Sequence, residues 1–120
     1  TLRDRAFARI VRGAYHSTCA FTGLRIVNGG GAAEVEAAHI VPVADNGPDS
    51  PRNGIALSRT VHWAFDHHLL SMRDDGVVLV SGHLPGDFHR LVRANVTLPA
   101  DSRLRPHPRF LADHRALFKP

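Results

Sequence analysis

The sequence contains very little cysteine and very little lysine. Cys19 is its one cysteine and Lys119 its one lysine. A single cysteine excludes an internal disulfide framework and a cysteine-rich structural zinc site within these residues, so we expect stability to come from packing. No apolar run approaches the roughly 18 to 20 residues that span a bilayer, and residues 1–10 lack the apolar core of a secretory signal. We therefore expect a soluble, cytoplasmic protein that does not enter a membrane.

The positive charge is carried almost entirely by arginine. Lysine and arginine together number 15 against 11 acidic residues, which leaves a formal net charge of +4. The planar guanidinium group suits bidentate contacts with phosphate, so this charge is compatible with a nucleic-acid partner. A composition that merely reflects a GC-rich coding sequence explains the charge equally well.

The chain is 120 residues long, which predicts one domain spanning residues 1–120. It begins with threonine rather than methionine. This leaves open that it is a fragment of a longer protein. An additional domain or a homodimer is possible.

Apolar periodicity predicts three helices. Leu2 to Tyr15 has apolar residues at helical spacing with arginines on the other side. The segment 58–70 resumes a helical pattern, with Ser58 as its expected N-cap, and residues 109–118 predict a last amphipathic helix.

Shorter segments predict strands. Residues 19–23 and 33–41 have strand character, and the turn-forming sequence of residues 44–52 predicts a long exposed loop. Residues 69–82 predict a hairpin whose turn contains Asp-Gly. We expect the strand that ends at His39 to pair with Cys19–Thr22 or with the stretch just after it.

Three polar residues follow one another on a strand, a loop and a helix: His39, Asn53 and His62. Each alone is more often structural, because a lone histidine is usually on the surface or satisfied in the core, and Asn-Gly is an ordinary turn. His62 and Asp66, however, stand four residues apart. They therefore project from one helix face, an arrangement that lets two side chains hold one metal ion.

The sequence around these residues resembles the HNH nuclease family of the ββα-metal type. Asn53 lies nine residues ahead of His62, as the family pattern requires. The flanking sequences resemble a branch found in bacterial restriction-type proteins, and the resemblance extends from about Phe7 to Phe118. The segments that carry it are "AAHIVP", "NGIALS" and "VHWAFD".

The resemblance implies an α+β fold, with a ββα-metal (His-Me finger) core flanked by N- and C-terminal helices. It also implies a restriction- or defence-type endonuclease that hydrolyses phosphodiester bonds in DNA, with RNA left open. The implied cofactor is one divalent ion, Mg²⁺ or Mn²⁺ first and Zn²⁺ or Ni²⁺ as alternatives. His39 would be the general base, Asn53 would hold the loop backbone, and His62 would bind the metal.

The chain departs from the family pattern at Ala38, where many members carry a second metal ligand. Asp66 is the best substitute because it lies one helical turn from His62. Glu36 is the second, since strand periodicity places it on the same face as residue 38. The alternative for Asp66 is a surface charge or a salt bridge to arginine, and for Glu36 a solvated carboxylate.

A second departure concerns the cysteines that form a zinc knuckle in many relatives. Ser58 and Val61 occupy two of those positions. We therefore expect a hydrophobic brace in place of zinc, with Trp63 and Phe65 as its core anchors.

Nucleic-acid binding should depend on phosphate contacts, for which Arg52 and Arg59 are the first candidates because they flank the loop and the helix. Simple surface solubility is the alternative for both. His67 and His68 point about 100° apart on a helix, so at most one of them faces the site.

Two other functions remain open. Ala38 is compatible with a catalytically silent ββα module that binds nucleic acid or a partner protein, although the presence of His39 favours an enzyme. A structural zinc site built from His62, Asp66 and a nearby histidine is the third possibility.

Overall fold

The structure, a computed structural model, describes residues 1–120 as helices combined with two small antiparallel sheets. This confirms the α+β class. The helices are α1 (Leu2–Ala14), α2 (Arg59–Asp66), α3 (Gly86–Leu91) and α4 (Pro108–Ala116). The strands are β1 (Glu36–His39), β2 (Gly54–Leu57), β3 (Leu70–Met72) and β4 (Val78–Val80). No helix combines the length and apolar character needed to cross a bilayer.

The central motif is ββα. Strand β1 pairs antiparallel with β2, so that Glu36 faces Leu57 and His39 faces Gly54. Helix α2 begins at Arg59, two residues after β2 ends. The predicted pairing with residues 19–22 was therefore wrong, whereas the stretch just after them bridges the start of the predicted strand, through an antiparallel contact between Val27 and Ala33. All four residues of β2 are buried, so the strand lacks the polar alternation by which a half-buried strand is recognised.

Residues 19–23 form a turn rather than the predicted strand. The Cys19 N–H donates to the carbonyl of Leu24, and the Gly23 N–H donates back to the carbonyl of Cys19, both at 2.9 Å. Gly23 has a φ of 75°, a conformation that glycine adopts without steric cost. The turn docks on β2 through one backbone bond, from the Ala20 N–H to the carbonyl of Ala56.

The other predicted elements are present, with small shifts at their ends. Helix α1 matches the first predicted helix and begins with a capping box between Thr1 and Asp4. The predicted hairpin exists as β3 paired with β4. Ser58 is the N-cap residue of α2, but its side chain makes no capping bond. The short helix α3 was not anticipated.

The core lies between α1, the β1–β2 sheet and α2. Phe65 is 1% exposed, as expected of a core anchor, whereas Trp63 is 58% exposed and its predicted core role was wrong. Val61, Ala64 and Phe65 share the buried face of α2, and Trp63 lies about 200° around the helix from Phe65. The brace beneath α2 is therefore hydrophobic without tryptophan.

Helix α4 is attached to the core through a buried histidine. The hydroxyl of Ser71 donates to Nδ1 of His114 at 2.8 Å, and Nε2–H of His114 donates to the carbonyl of Phe65 at 2.9 Å. The imidazole also stacks on the Phe65 ring, with centroids 3.8 Å apart. Burial lowers the pKa of His114 to about 4, because the charged ring would lose its hydration.

This histidine makes stability depend on pH. Its pKa is lower in the folded protein, about 4, than in the unfolded chain, about 6.5, so only the unfolded state takes up a proton between these values. The free energy of unfolding should therefore fall by up to about 3 kcal/mol as pH drops through this window. Urea denaturation at several pH values, compared with His114→Gln, checks this. A variant with the same pH slope as the wild type would contradict it.

Candidate active site

Asn53 closes the loop between β1 and β2 from inside the protein. It is fully buried at the end of the short 3₁₀ turn Pro51–Asn53. Its Oδ1 accepts the Val41 N–H at 2.9 Å, and its Nδ2 donates to the carbonyls of Val41 and Pro48, both at 3.0 Å. These bonds cross the loop, as the family resemblance implied for Asn53.

His39 is the last residue of β1 and is held on two sides. Its ring lies parallel to that of Phe7 from α1, with centroids 4.1 Å apart and planes inclined by 4°. Its Nε2 lies 3.0 Å from Oδ1 of Asp49, and each of these two side chains is 24% exposed. The imidazole is therefore restrained but accessible.

Gly54 leaves the space that this stacking requires. It pairs directly with His39 across the ladder, so a side chain there would lie on the same face of the sheet. A Cβ atom at residue 54 would collide with Val11 and would lie 3.0 Å from Cζ of Phe7. The missing side chain therefore lets α1 approach the sheet and place Phe7 against His39.

His62 lies between two carboxylates. Its Nδ1 is 3.0 Å from Oε1 of Glu36 on β1, and its Nε2 is 3.1 Å from Oδ2 of Asp66. Hydrogen bonding to Asp66, reinforced by Glu36, raises the pKa of His62 to about 9 despite partial burial. Between these two carboxylates the ring is favoured as an imidazolium at neutral pH.

His39 and the His62–Asp66 pair line one open cleft of about 350 Å³. His68 lies on the same wall, with a φ of 62° just after α2, and burial followed by the charge of Lys119 lowers its pKa. Glu36 is not part of the lining. The structure thus brings the predicted base and the predicted metal-binding pair to one surface, with Glu36 on the far side of the His62 ring.

The two arginines lie outside the cleft lining. Nε of Arg59 is 3.7 Å from Oε2 of Glu36, and its side chain is 77% exposed. Nε of Arg52 donates to the carbonyl of Arg105 at 3.1 Å. His67 stacks on Trp63, with centroids 4.0 Å apart, and is likewise outside the lining.

The donor atoms at His62 suit a divalent ion that keeps several of its bound waters. No group of three or more His, Cys, Asp or Glu side chains is arranged to hold a metal. Nε2 of His62 and Oδ2 of Asp66 are nevertheless 3.1 Å apart, close to the roughly 3 Å between adjacent ligands of an octahedral ion with bonds of about 2.1 Å. The pair can therefore supply two ligands.

Sequence reasoning missed two residues that contact His39. Phe7 was assigned only to a helix, and Asp49 only to an exposed loop. An aromatic residue on the apolar face of a terminal helix carries no signal of its stacking partner. An aspartate in an Asp-Asn-Gly-Pro-Asp loop is ordinarily a turn former, so its contact with a histidine ten residues earlier depends on the folded loop.

Residues 19–73 match the family model described as HNH endonuclease. This segment contains the whole ββα core, together with His39, Asn53, His62 and Asp66. The resemblance to the HNH endonuclease family is therefore confirmed over residues 19–73, slightly under half of the chain. Helices α1, α3 and α4 lie outside the matched segment.

Among solved structures, the chain is similar to one described as "Modification dependent TagI restriction endonuclease", with a TM-score of 0.77 and 22% sequence identity. The match covers 96% of this chain and 38% of that one, so the chain spans well under half the length of that structure. At this identity the likeness shows a shared fold, which includes the flanking helices. No protein of curated function matches the chain.

Asn53→Ala should loosen the loop. The substitution removes three hydrogen bonds, to the Val41 amide and to the carbonyls of Val41 and Pro48, at about 1 kcal/mol for each lost bond and about 2 to 3 kcal/mol in all. Thermal denaturation should show the loss of stability, and hydrogen exchange should show faster exchange of the Val41 amide. An unchanged exchange rate at Val41 would show that the Asn53 amide does not hold this loop.

Proposed function

We propose that the chain is a metal-dependent endonuclease of the restriction or defence type, which hydrolyses phosphodiester bonds in DNA. One observation supports it above all: a single cleft is lined by His39 and by the His62–Asp66 pair. A base and a cation site facing one cleft are what hydrolysis of a phosphodiester requires. The HNH family match and the restriction endonuclease of similar fold support the restriction class. A cytoplasmic location is part of the proposal, since a restriction-type nuclease acts on DNA inside the cell.

His39 is the proposed general base. A neutral imidazole accepts a proton from an attacking water near neutral pH. The stack on Phe7 and the contact with Asp49 hold the ring at the end of β1, so its orientation is set before substrate arrives. Asn53 acts on this step indirectly, because it fixes the loop that follows His39.

His62 and Asp66 are the proposed metal ligands, through Nε2 and Oδ2. Asp66 is preferred over Glu36 because Asp66 lines the cleft and Glu36 does not. Glu36 instead accepts Nδ1–H of His62 and holds the ring in the orientation that ligation needs. The ion, when bound, neutralises charge on the phosphate and the departing oxygen. Mg²⁺ and Mn²⁺ suit this small donor set best, with Zn²⁺ and Ni²⁺ as alternatives.

Arg59 and Arg52 are proposed to contact the phosphate backbone. Arg59 projects into solvent beside Glu36. Glu36 in turn contacts His62 of the proposed metal-binding pair. Arg52 lies in the 3₁₀ turn that carries Asn53, next to the loop after His39. Backbone contacts carry no sequence information, so we propose that any recognition of a target sequence or modification is made by a further domain or a second copy.

A catalytically silent nucleic-acid- or protein-binding module is the second candidate. Ala38 cannot coordinate a metal, and the structure has no three-residue metal cluster. Cleavage of plasmid DNA separates the two candidates, because only the enzyme nicks DNA in Mg²⁺ or Mn²⁺ and stops in EDTA.

His39→Ala should lower the rate of plasmid nicking by about 10²- to 10⁴-fold, because general-base catalysis contributes on this scale. DNA binding and melting temperature should change little, apart from the lost ring stack of about 1 kcal/mol. His67→Ala is the matched control, since His67 lies outside the cleft. A His39→Ala variant that nicks plasmid at the wild-type rate would exclude His39 as the base.

Asp66→Asn should raise the Mn²⁺ concentration needed for half-maximal nicking by about 10- to 100-fold, because it removes the negative charge of a proposed ligand. Glu36→Gln should have a smaller effect, since the amide oxygen still accepts Nδ1–H of His62. Calorimetric titration measures the Mn²⁺ affinity of both variants and of His62→Ala. If Glu36→Gln weakens binding and Asp66→Asn does not, the ligand is Glu36.

A further inference from the structure

Asp49 is the protein group that hydrogen-bonds the imidazole of His39. Its Oδ1 is 3.0 Å from Nε2, and the two side chains are equally shielded, each 24% exposed. No protein group bonds Nδ1 of the same ring. A carboxylate beside Nε2 favours the tautomer with the proton on that nitrogen, because Nε2–H can then donate to it.

The second contact of the His39 ring, its stack on Phe7, cannot select the tautomer. Phe7 stacks nearly parallel to His39, which restrains the tilt of the imidazole plane. Stacking is insensitive to which nitrogen carries the proton and permits a flip of the ring within its plane. Among the contacts of His39, only the hydrogen bond to Asp49 distinguishes Nε2 from Nδ1.

The loop holds Asp49 in place from both sides. The preceding carbonyl, of Pro48, accepts a hydrogen bond from Nδ2 of Asn53 at 3.0 Å. The following residue, Ser50, caps the 3₁₀ turn, and its side chain accepts the Arg52 N–H at 3.2 Å. Asp49 is therefore positioned by the same buried amide that closes the loop.

We propose that Asp49 is a positioning residue that keeps the proton of His39 on Nε2 and so leaves Nδ1 as the atom that accepts the proton of the attacking water. The proposal rests on the proposed function of His39 as general base. It extends the site to the loop and gives the loop closed by Asn53 a chemical role: it places the carboxylate that selects the basic nitrogen.

Two measurements on the whole chain test this. The first is ¹H–¹⁵N NMR of the imidazole groups at about pH 8, where an ordinary histidine is neutral, with His39 assigned from His39→Ala. The second is steady-state cleavage of plasmid DNA. Both are made on wild type, Asp49→Ala, Asp49→Glu and the control Asp45→Ala. Asp45 is an exposed carboxylate on the same loop that makes no bond to His39.

Wild type and the Asp45 control should show a hydrogen-bonded Nε2–H signal for His39, and Asp49→Ala should lose it. The kcat of Asp49→Ala should fall by about 10- to 100-fold with KM for DNA unchanged, and Asp49→Glu should recover part of both signal and rate. A His39 protonated on Nδ1 in wild type, or Asp49→Ala at the wild-type rate, would overturn the proposal. A folded wild type with the Nε2–H signal but no cleavage would count against the nuclease function and for the contact.

Discussion

The site depends on one buried amide. Asn53 has no solvent exposure, and its side chain ties the two ends of the loop that follows His39. The backbone adds a further bond, from the Ile40 N–H to the Asn53 carbonyl at 2.9 Å. Leaving the buried Asn53 amide unpaired would cost about 1 to 3 kcal/mol, which favours the loop conformation that satisfies it. These bonds hold the loop segment that connects His39 to Asp49.

The two histidines of the cleft differ because their carboxylate partners differ. His39 has one hydrogen-bonded carboxylate, on one nitrogen, and leaves the other nitrogen without a hydrogen-bonding protein partner. His62 has an acidic neighbour on each nitrogen, which stabilises the imidazolium when no metal is bound. The same two carboxylates would also stabilise the cation proposed to bind in place of the proton, since they attract positive charge of either kind. The same residue type is thus suited to proton transfer in one place and to cation binding in the other.

Most of the architecture could be predicted from periodicity and turn chemistry. Helix α1, the β3–β4 hairpin and the helix carrying His62 have strong local signals. Strand β2 could not be recognised, because a short, fully buried apolar run has no alternation. The exposure of Trp63 could have been foreseen, since it lies off the face defined by Val61 and Phe65.

Some contacts of the candidate site could likewise be predicted from the sequence, and others could not. Asn53 could be assigned its loop contacts from the family pattern, and the pairing of His62 with Asp66 follows from helical spacing. The contacts of His39 with Phe7 and Asp49 join three separate segments of the chain. Their distance in sequence hides them, because neither periodicity nor spacing relates a helix near the N-terminus to a strand end and a loop tip.

Anomalous diffraction from crystals soaked in Mn²⁺ tests the central claim, that one cation site faces the base across the cleft. We expect one strong peak bonded to Nε2 of His62 and to Asp66, on the cleft side of the ring. A peak on the Glu36 side of His62, or no peak at this histidine at saturating Mn²⁺, would contradict it.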